Sequence, residues 1–320
     1  MTRRWWPVVR LLAGAAILVL LVVRLGTGAF LGALRQVDGW SLSAAAALAL
    51  LTTVCCAWRW SLVARGLGVR VPLPAAVAAY YRSQFLNATL PGGILGDVDR
   101  AVRSGRDAGD LGRGIRAVAW ERGAGQVVQV VLAAAVLLLL PSPARAGGPL
   151  VAGALLLAVL VGVLGAVLCS RALPRRRSSR WARVATAALA DLRGGLLARR
   201  AWPGIVVAST VVVAGHVLTF LVAARAAGTT VSLVRMVPLA LLVLLAAALP
   251  TNVAGWGPRE GAAAWAFSMA GLQAADGVAV AVVYGVLVMV ASLPGAAVLL
   301  AGRLRRDRGK VPRRAGVAHG

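Results

Sequence analysis

The residues able to do chemistry gather in two short stretches of an otherwise apolar chain. The first is Asn87-Ala88-Thr89-Leu90-Pro91-Gly92-Gly93-Ile94-Leu95-Gly96-Asp97-Val98-Asp99-Arg100, with Arg82 shortly before it. The second is Leu249-Pro250-Thr251-Asn252-Val253-Ala254-Gly255-Trp256-Gly257-Pro258-Arg259-Glu260. Both read Leu-Pro-x-x-x-x-Gly, followed by an acid and flanked by an arginine. A guanidinium fork suits phosphate, and helix ends broken at Pro91 and Pro250 offer N–H groups to an anion. Arg82, Arg100 and Arg259 are therefore the candidate phosphate contacts. Asp97 and Glu260 are candidates to meet a cationic group or carry protons. Gly92, Gly93, Gly96, Gly255 and Gly257, with the two prolines, shape the broken backbone.

An ionised side chain at bilayer depth costs about 2.5–3.5 kcal/mol on insertion scales. Two readings follow: the charges line a wet central cavity, or they sit at the membrane interface and end helices. Repetition of the pattern in both halves favours the cavity, because paired interruptions point to a site at a repeat interface. Trp120-Glu121-Arg122-Gly123 reads either as the interfacial start of a span or as a third polar contribution to the cavity. His216, with Thr219 nearby, is either a proton relay or a histidine bonded to a neighbouring helix.

The elements that must position these residues are membrane helices. The chain has 320 residues, 60% of them hydrophobic, and a mean hydropathy of +0.82; a soluble domain holds roughly 45–50% apolar residues. Its net charge of +25 comes from arginine, since Lys310 is the sole lysine. The arginines sit in alternate loops: residues 59–70, 100–122, 171–200 and the tail. That bias places both termini in the cytoplasm and argues against nucleic-acid binding. Spans are expected at Val8–Val23, Ser41–Trp58, Gly123–Leu140, Leu150–Cys169, Gly204–Ala223 and Gly277–Ala301. Residues 75–90 and 236–249 fall short of the ~20 needed to cross and read as re-entrant hairpins, one entering from each side. The expected fold is all-α: a polytopic integral membrane protein with about six full spans plus two hairpins in an inverted repeat. Residues 1–302 form the membrane domain, and 303–320 a disordered basic tail. Residues 100–122 read as a loop with short surface helices. Cys55, Cys56 and Cys169 read as packing residues.

No phosphate-binding Gly-rich loop, metal-ligand spacing or nucleophile elbow is present, so neither cofactor nor metal is expected and an enzyme is not the first reading. The arginine-, alanine- and valine-rich usage suggests a bacterium, hence the bacterial plasma membrane.

Five motifs occur in order: Arg59-Trp60; Phe85-x-Asn87-x-x-Leu90-Pro91-Gly92; Gly96-Asp97-x-x-Arg100; Glu121-Arg122-x-x-Gly125; and Pro250-x-Asn252-x-x-Gly255-x-Gly257-x-x-Glu260-Gly261. With them the chain resembles the flippase-like transmembrane family typified by the membrane half of lysylphosphatidylglycerol synthases, over roughly residues 5–302. That family often carries Asp-Arg where this chain has Glu121-Arg122. The resemblance implies a stand-alone membrane domain without the aminoacyl-transferase domain. It also implies translocation or binding of an anionic, aminoacylated or polyprenyl-phosphate lipid. The alternatives are an accessory to a membrane glycosyltransferase and a small-solute secondary transporter.

Overall fold

A computed structural model describes residues 35, 37–90, 93–140, 190–196, 198–248 and 257–308, with side chains to residue 302 except at position 193. Among these residues all regular structure is helical. The helices are α1 (Gly39–Gly66), α2 (Leu73–Thr89), α3 (Leu95–Asp107), α4 (Leu111–Leu139), α5 (Trp202–Ala226), α6 (Leu233–Ala247), α7 (Pro258–Met269), α8 (Ala274–Ala291) and α9 (Pro294–Arg308), with a π-turn at Leu192–Leu196. Among the described residues four stretches are long and apolar enough to cross a membrane: Gly39–Gly66, Leu111–Leu139, Trp202–Ala226 and Ala274–Gly302. The expected spans at Val8–Val23 and Leu150–Cys169 lie outside the described residues, as do Pro91, Gly92, Pro250, Asn252 and Gly255.

Local chemistry sets the helix ends. Asp38 caps α1 by accepting the Ser41 N–H at 2.8 Å. That bond, with the Ser41 hydroxyl, holds the Asp38 carboxyl below its usual range. Pro74, Pro203 and Pro258 sit in the first turns of α2, α5 and α7, where a missing N–H costs nothing. Asp110 caps α4 through the Arg113 N–H at 3.0 Å.

Residues 100–122 are not a loop. They complete α3 and form the first part of α4, so the span expected from Gly123 begins at Leu111. Arginines dilute the hydropathy there, but Arg113, Arg116 and Arg122 each pair with an acid. Gly114 lets α4 cross the α3 backbone closely: a Cβ there would sit 2.5 Å from the Ala101 carbonyl oxygen. Likewise α9 continues to Arg308, so the basic tail begins as helix.

The order long helix, short helix, break, short helix, long helix occurs twice, in α1–α4 and again in α5–α9. The turns match as well. Gly68 (φ 80°) and Gly228 (φ 76°) end the first long helix of each half. Their N–H groups donate to Arg65 and Arg225 carbonyls at 3.0 and 2.9 Å. Gly109 (φ 67°) and Gly271 (φ 72°) follow α3 and α7 in the same way. Left-handed backbone costs an L-residue about 1–2 kcal/mol, and neither Gly109 nor Gly271 has an atom within 4 Å of a built Cβ. Gly109→Ala and Gly271→Ala are therefore expected to cost about 1–2 kcal/mol each, in near-equal amounts. Thermal unfolding in detergent measures this; a loss confined to one half would break the correspondence.

The halves meet along α1 and α5. Gly204 faces Trp58 and Leu62, and Gly215 lies on Thr52, the small-residue packing that lets membrane helices approach. Phe220, Met236, Leu239, Phe267 and Leu287 fill the core of the second half. Trp60, Val63, Tyr80 and Ala117 fill that of the first.

Candidate functional site

Glu121 organises the first half. It lies well inside α4 and is fully buried. Its Oε1 accepts from Arg59 Nε at 2.9 Å, from Arg59 Nη2, and from the Tyr80 hydroxyl at 2.8 Å. Its Oε2 accepts from Arg100 Nη2 at 2.9 Å. Arg100, 1% exposed, lies between two rings, 4.7 Å from the Trp60 centroid and 4.1 Å from that of Tyr80. Its Nε and Nη1 have no hydrogen-bond partner. The aromatic faces provide the attraction instead.

Asp97 ties α2 and α3 to α4. Its Oδ1 accepts from Ser83 Oγ at 3.1 Å and from Arg100 at 3.0 Å. Its Oδ2 accepts from Asn87 Nδ2 at 3.1 Å and Arg122 Nη2 at 2.7 Å. Asn87 also takes the Gly96 N–H on its Oδ1 at 2.8 Å, capping α3. At that crossing Gly96 lies directly on the Ser83 backbone.

The second half carries a smaller version. Arg259 Nε donates to Glu260 Oε1 at 2.9 Å, and Glu260 Oε2 accepts the Gly257 N–H at 2.7 Å. The Arg259 guanidinium lies over Gly285 and 5.4 Å from the Tyr284 ring centroid. Arg59 lies over Gly125 in the same manner. Only a missing side chain leaves room for a guanidinium against a helix backbone.

Between the halves is a cavity of about 340 Å³. Helices α1, α2 and α4 wall it on one side, and α5, α7, α8 and the end of α6 on the other. Three arginines line it: Arg59, Arg122 and Arg259. Arg59 and Arg259 are 4% and 7% exposed, whereas the Arg122 side chain is 44% exposed. Asn87 and Gly93 also line it; Asp97, Glu121 and Glu260 stand behind the arginines, off the described lining. Arg100 is buried away from the cavity. Arg82 pairs with Asp99 at 2.8 Å, also off the lining. His216 lines the cavity and bonds to a neighbouring helix, its Nδ1 lying 3.0 Å from the Tyr284 hydroxyl on α8.

Sequence reasoning missed several lining residues. Arg59 reads as the first of the loop arginines of residues 59–70, yet it forms an internal ion pair with Glu121. Gln126 and Gln129 follow Arg122 at the four- and seven-residue spacing of one helix face, a signal legible once α4 is known to begin at Leu111. Gln84 is masked by the tyrosines and arginine around it.

Fold and site together define a multi-helix membrane protein whose two halves enclose a polar, arginine-lined cavity. The chain belongs to the family described as the lysylphosphatidylglycerol synthase TM region, whose model matches residues 8–295. No curated protein and no solved structure matches it.

Proposed function

We propose that the protein admits the phosphate of an anionic membrane lipid into the central cavity and carries the headgroup between leaflets. Membership of a membrane family named for a lipid synthase supports a lipid-related role. The observation that carries the reading is Arg122. It lines the cavity and makes one ion pair, to Asp97; among the described residues its Nε and Nη1 have no partner. Those N–H groups are the donors that a phosphate needs.

Each lining arginine is backed by a carboxylate: Arg59 by Glu121, Arg122 by Asp97 and Arg259 by Glu260. Such pairing softens the field, so an anion enters without being trapped, as passage requires. The polar face of α4 from Arg122 to Gln129 extends about 10 Å at 1.5 Å per residue, a third of the ~30 Å hydrocarbon core. It would serve as a track for the headgroup while the acyl tails stay in lipid. In this reading α2–α3 and α6–α7 are re-entrant hairpins of an inverted repeat. In the same reading the termini face the cytoplasm of a bacterial plasma membrane.

The test is quenching of acyl-labelled phospholipids in proteoliposomes. Loss of charge-assisted hydrogen bonds worth about 1.5–3 kcal/mol predicts that Arg122→Gln moves phosphatidylglycerol at least ~10-fold more slowly. Arg82→Gln, altered off the cavity, is expected to stay near the wild-type rate. A wild-type rate in Arg122→Gln would remove the central claim.

A further inference from the structure

We infer that the cavity selects anionic lipids with an uncharged, hydroxyl-bearing headgroup and rejects headgroups carrying an ammonium. This rests on the cavity being the headgroup path.

The argument begins with the acids. An ammonium leaving water needs a carboxylate, because desolvation without a counter-charge costs several kcal/mol. No carboxylate is on the described lining. The three acids behind it have all six oxygens engaged. Glu121 serves Arg59, Tyr80 and Arg100; Asp97 serves Ser83, Arg100, Asn87 and Arg122; Glu260 serves Arg259 and the Gly257 N–H.

The remaining acids are accounted for elsewhere. Asp38 and Asp110 cap helices, Asp99 holds Arg82 and Arg103, and Asp191 holds Arg116. Asp107 and Asp276 are exposed. The tenth acid, Asp307, is near the end of α9. Residues 1–34, 91–92, 141–189, 249–256 and 309–320 contain no Asp or Glu. None of these stretches supplies an Asp or Glu side chain to the cavity. A cationic headgroup would instead meet three guanidiniums, which is discrimination by repulsion.

What the cavity does offer is carboxamide. Gln126 and Gln129 are half-buried, line the cavity, and have no hydrogen-bond partner among the described residues. Gln84 spends its carbonyl on Thr53 at 3.1 Å, leaving its NH2. A carboxamide both donates and accepts, which matches a hydroxyl. Polar groups in a membrane domain stay unpartnered only where water or a ligand meets them. The two glutamines lie about 6 and 10 Å along α4 from Arg122 at 1.5 Å per residue. A phosphate on Arg122 thus leaves a glycerol- or sugar-sized group beside them. A site that hydrogen-bonds hydroxyls also discriminates against an analogue lacking them.

The experiment measures movement of acyl-labelled phosphatidylglycerol, phosphatidic acid, phosphatidylethanolamine and lysyl-phosphatidylglycerol in proteoliposomes of full-length protein. Lipids retained in detergent are measured in parallel by native mass spectrometry. Phosphatidylglycerol is expected to move at least ~10-fold faster than either ammonium-bearing lipid, with phosphatidic acid between. Lysyl-phosphatidylglycerol is the sharpest probe, since it adds positive charge to the same glycerol phosphate. The double variant Gln126→Leu/Gln129→Leu should remove the difference, so that phosphatidylglycerol moves no faster than phosphatidic acid. Gln126→Glu, which places a carboxylate on the lining, should raise the rate of the ammonium lipids relative to phosphatidylglycerol. It also covers the case in which the double variant fails to fold.

Ammonium lipids moving as fast as phosphatidylglycerol in wild type would overturn the inference. So would an unchanged ratio of phosphatidylglycerol to phosphatidic acid in the folded double variant. If wild type moves no lipid, translocation fails separately and retention decides selectivity: preferential retention of phosphatidylglycerol over its lysyl ester supports it, equal retention overturns it.

Discussion

Glu121→Gln is expected to destabilise the folded protein by about 3–5 kcal/mol, the cost of stranding a buried charge. The carboxylate is fully enclosed and serves two arginines that are themselves 4% and 1% exposed. Glutamine keeps the shape but removes the charge, so Arg59 and Arg100 are left buried with one neighbour's lone pair between them. Arg100 retains Asp97 and the faces of Trp60 and Tyr80. Among the described residues Arg59 retains only Ser209 at 3.0 Å and Cys56. The result to look for is loss of folded protein from the membrane and a large fall in detergent melting temperature. Replacing Arg59, Arg100 and Glu121 together by methionine should recover much of the loss, because a buried ionic cluster is costly to break yet replaceable by apolar packing. Wild-type stability of Glu121→Gln would show that the cluster is solvated. Glu260→Gln should follow the same course with a smaller effect, since Arg259 is its one guanidinium partner among the described residues. Neutralising Asp97 or Glu260 therefore tests the architecture before it tests transport, and Arg122 is the better probe of function.

The second large effect is expected at Gly96. A methyl group there would overlap the Ser83 carbonyl oxygen and lie 2.7–2.8 Å from the Ser83 carbonyl carbon and Cα. The obstacle is backbone, which no rotamer change relieves. Overpacking costs about 1–3 kcal/mol, and Gly96→Ala belongs at the top of that range or above it. Parting α2 from α3 would also lengthen the Asn87 bond to the Gly96 N–H and the Asn87 bond to Asp97. Arg122 would lose its fixed partner, so lipid movement should fall with stability. Gly123→Ala is the control: it lies on α4 with nothing within 4 Å of a built Cβ. There alanine should be neutral or stabilise by up to ~1 kcal/mol through helix propensity. Equal behaviour of the two variants would mean that α2 and α3 do not meet at Gly96.

Much of the helical framework is legible in one dimension, because the forces that set it are local. Apolar run length selects helix and membrane, and Pro and Gly interrupt the runs. The repeated Leu-Pro-x-x-x-x-Gly stretches mark both breaks, though Pro91 and residues 249–256 lie outside the described residues. Residues 100–122 escape because hydropathy averages a polar helix into a loop. Arg113, Arg116 and Arg122 pair with Asp110, Asp191 and Asp97, and only folding brings Asp97 and Asp191 into range.

The sequence by itself thus determined a helical membrane protein of duplicated order, with charges concentrated at two breaks. The tertiary structure alone decided which charges face the cavity and which stand behind them. Glu121 and Arg122 are neighbours, yet one is sealed against Arg59, 62 residues away, while the other opens onto the cavity. Consecutive residues on a helix point about 100° apart, and burial depends on whichever distant helix packs against each face. In this protein a one-residue step around α4 separates a structural ion pair from the proposed headgroup contact.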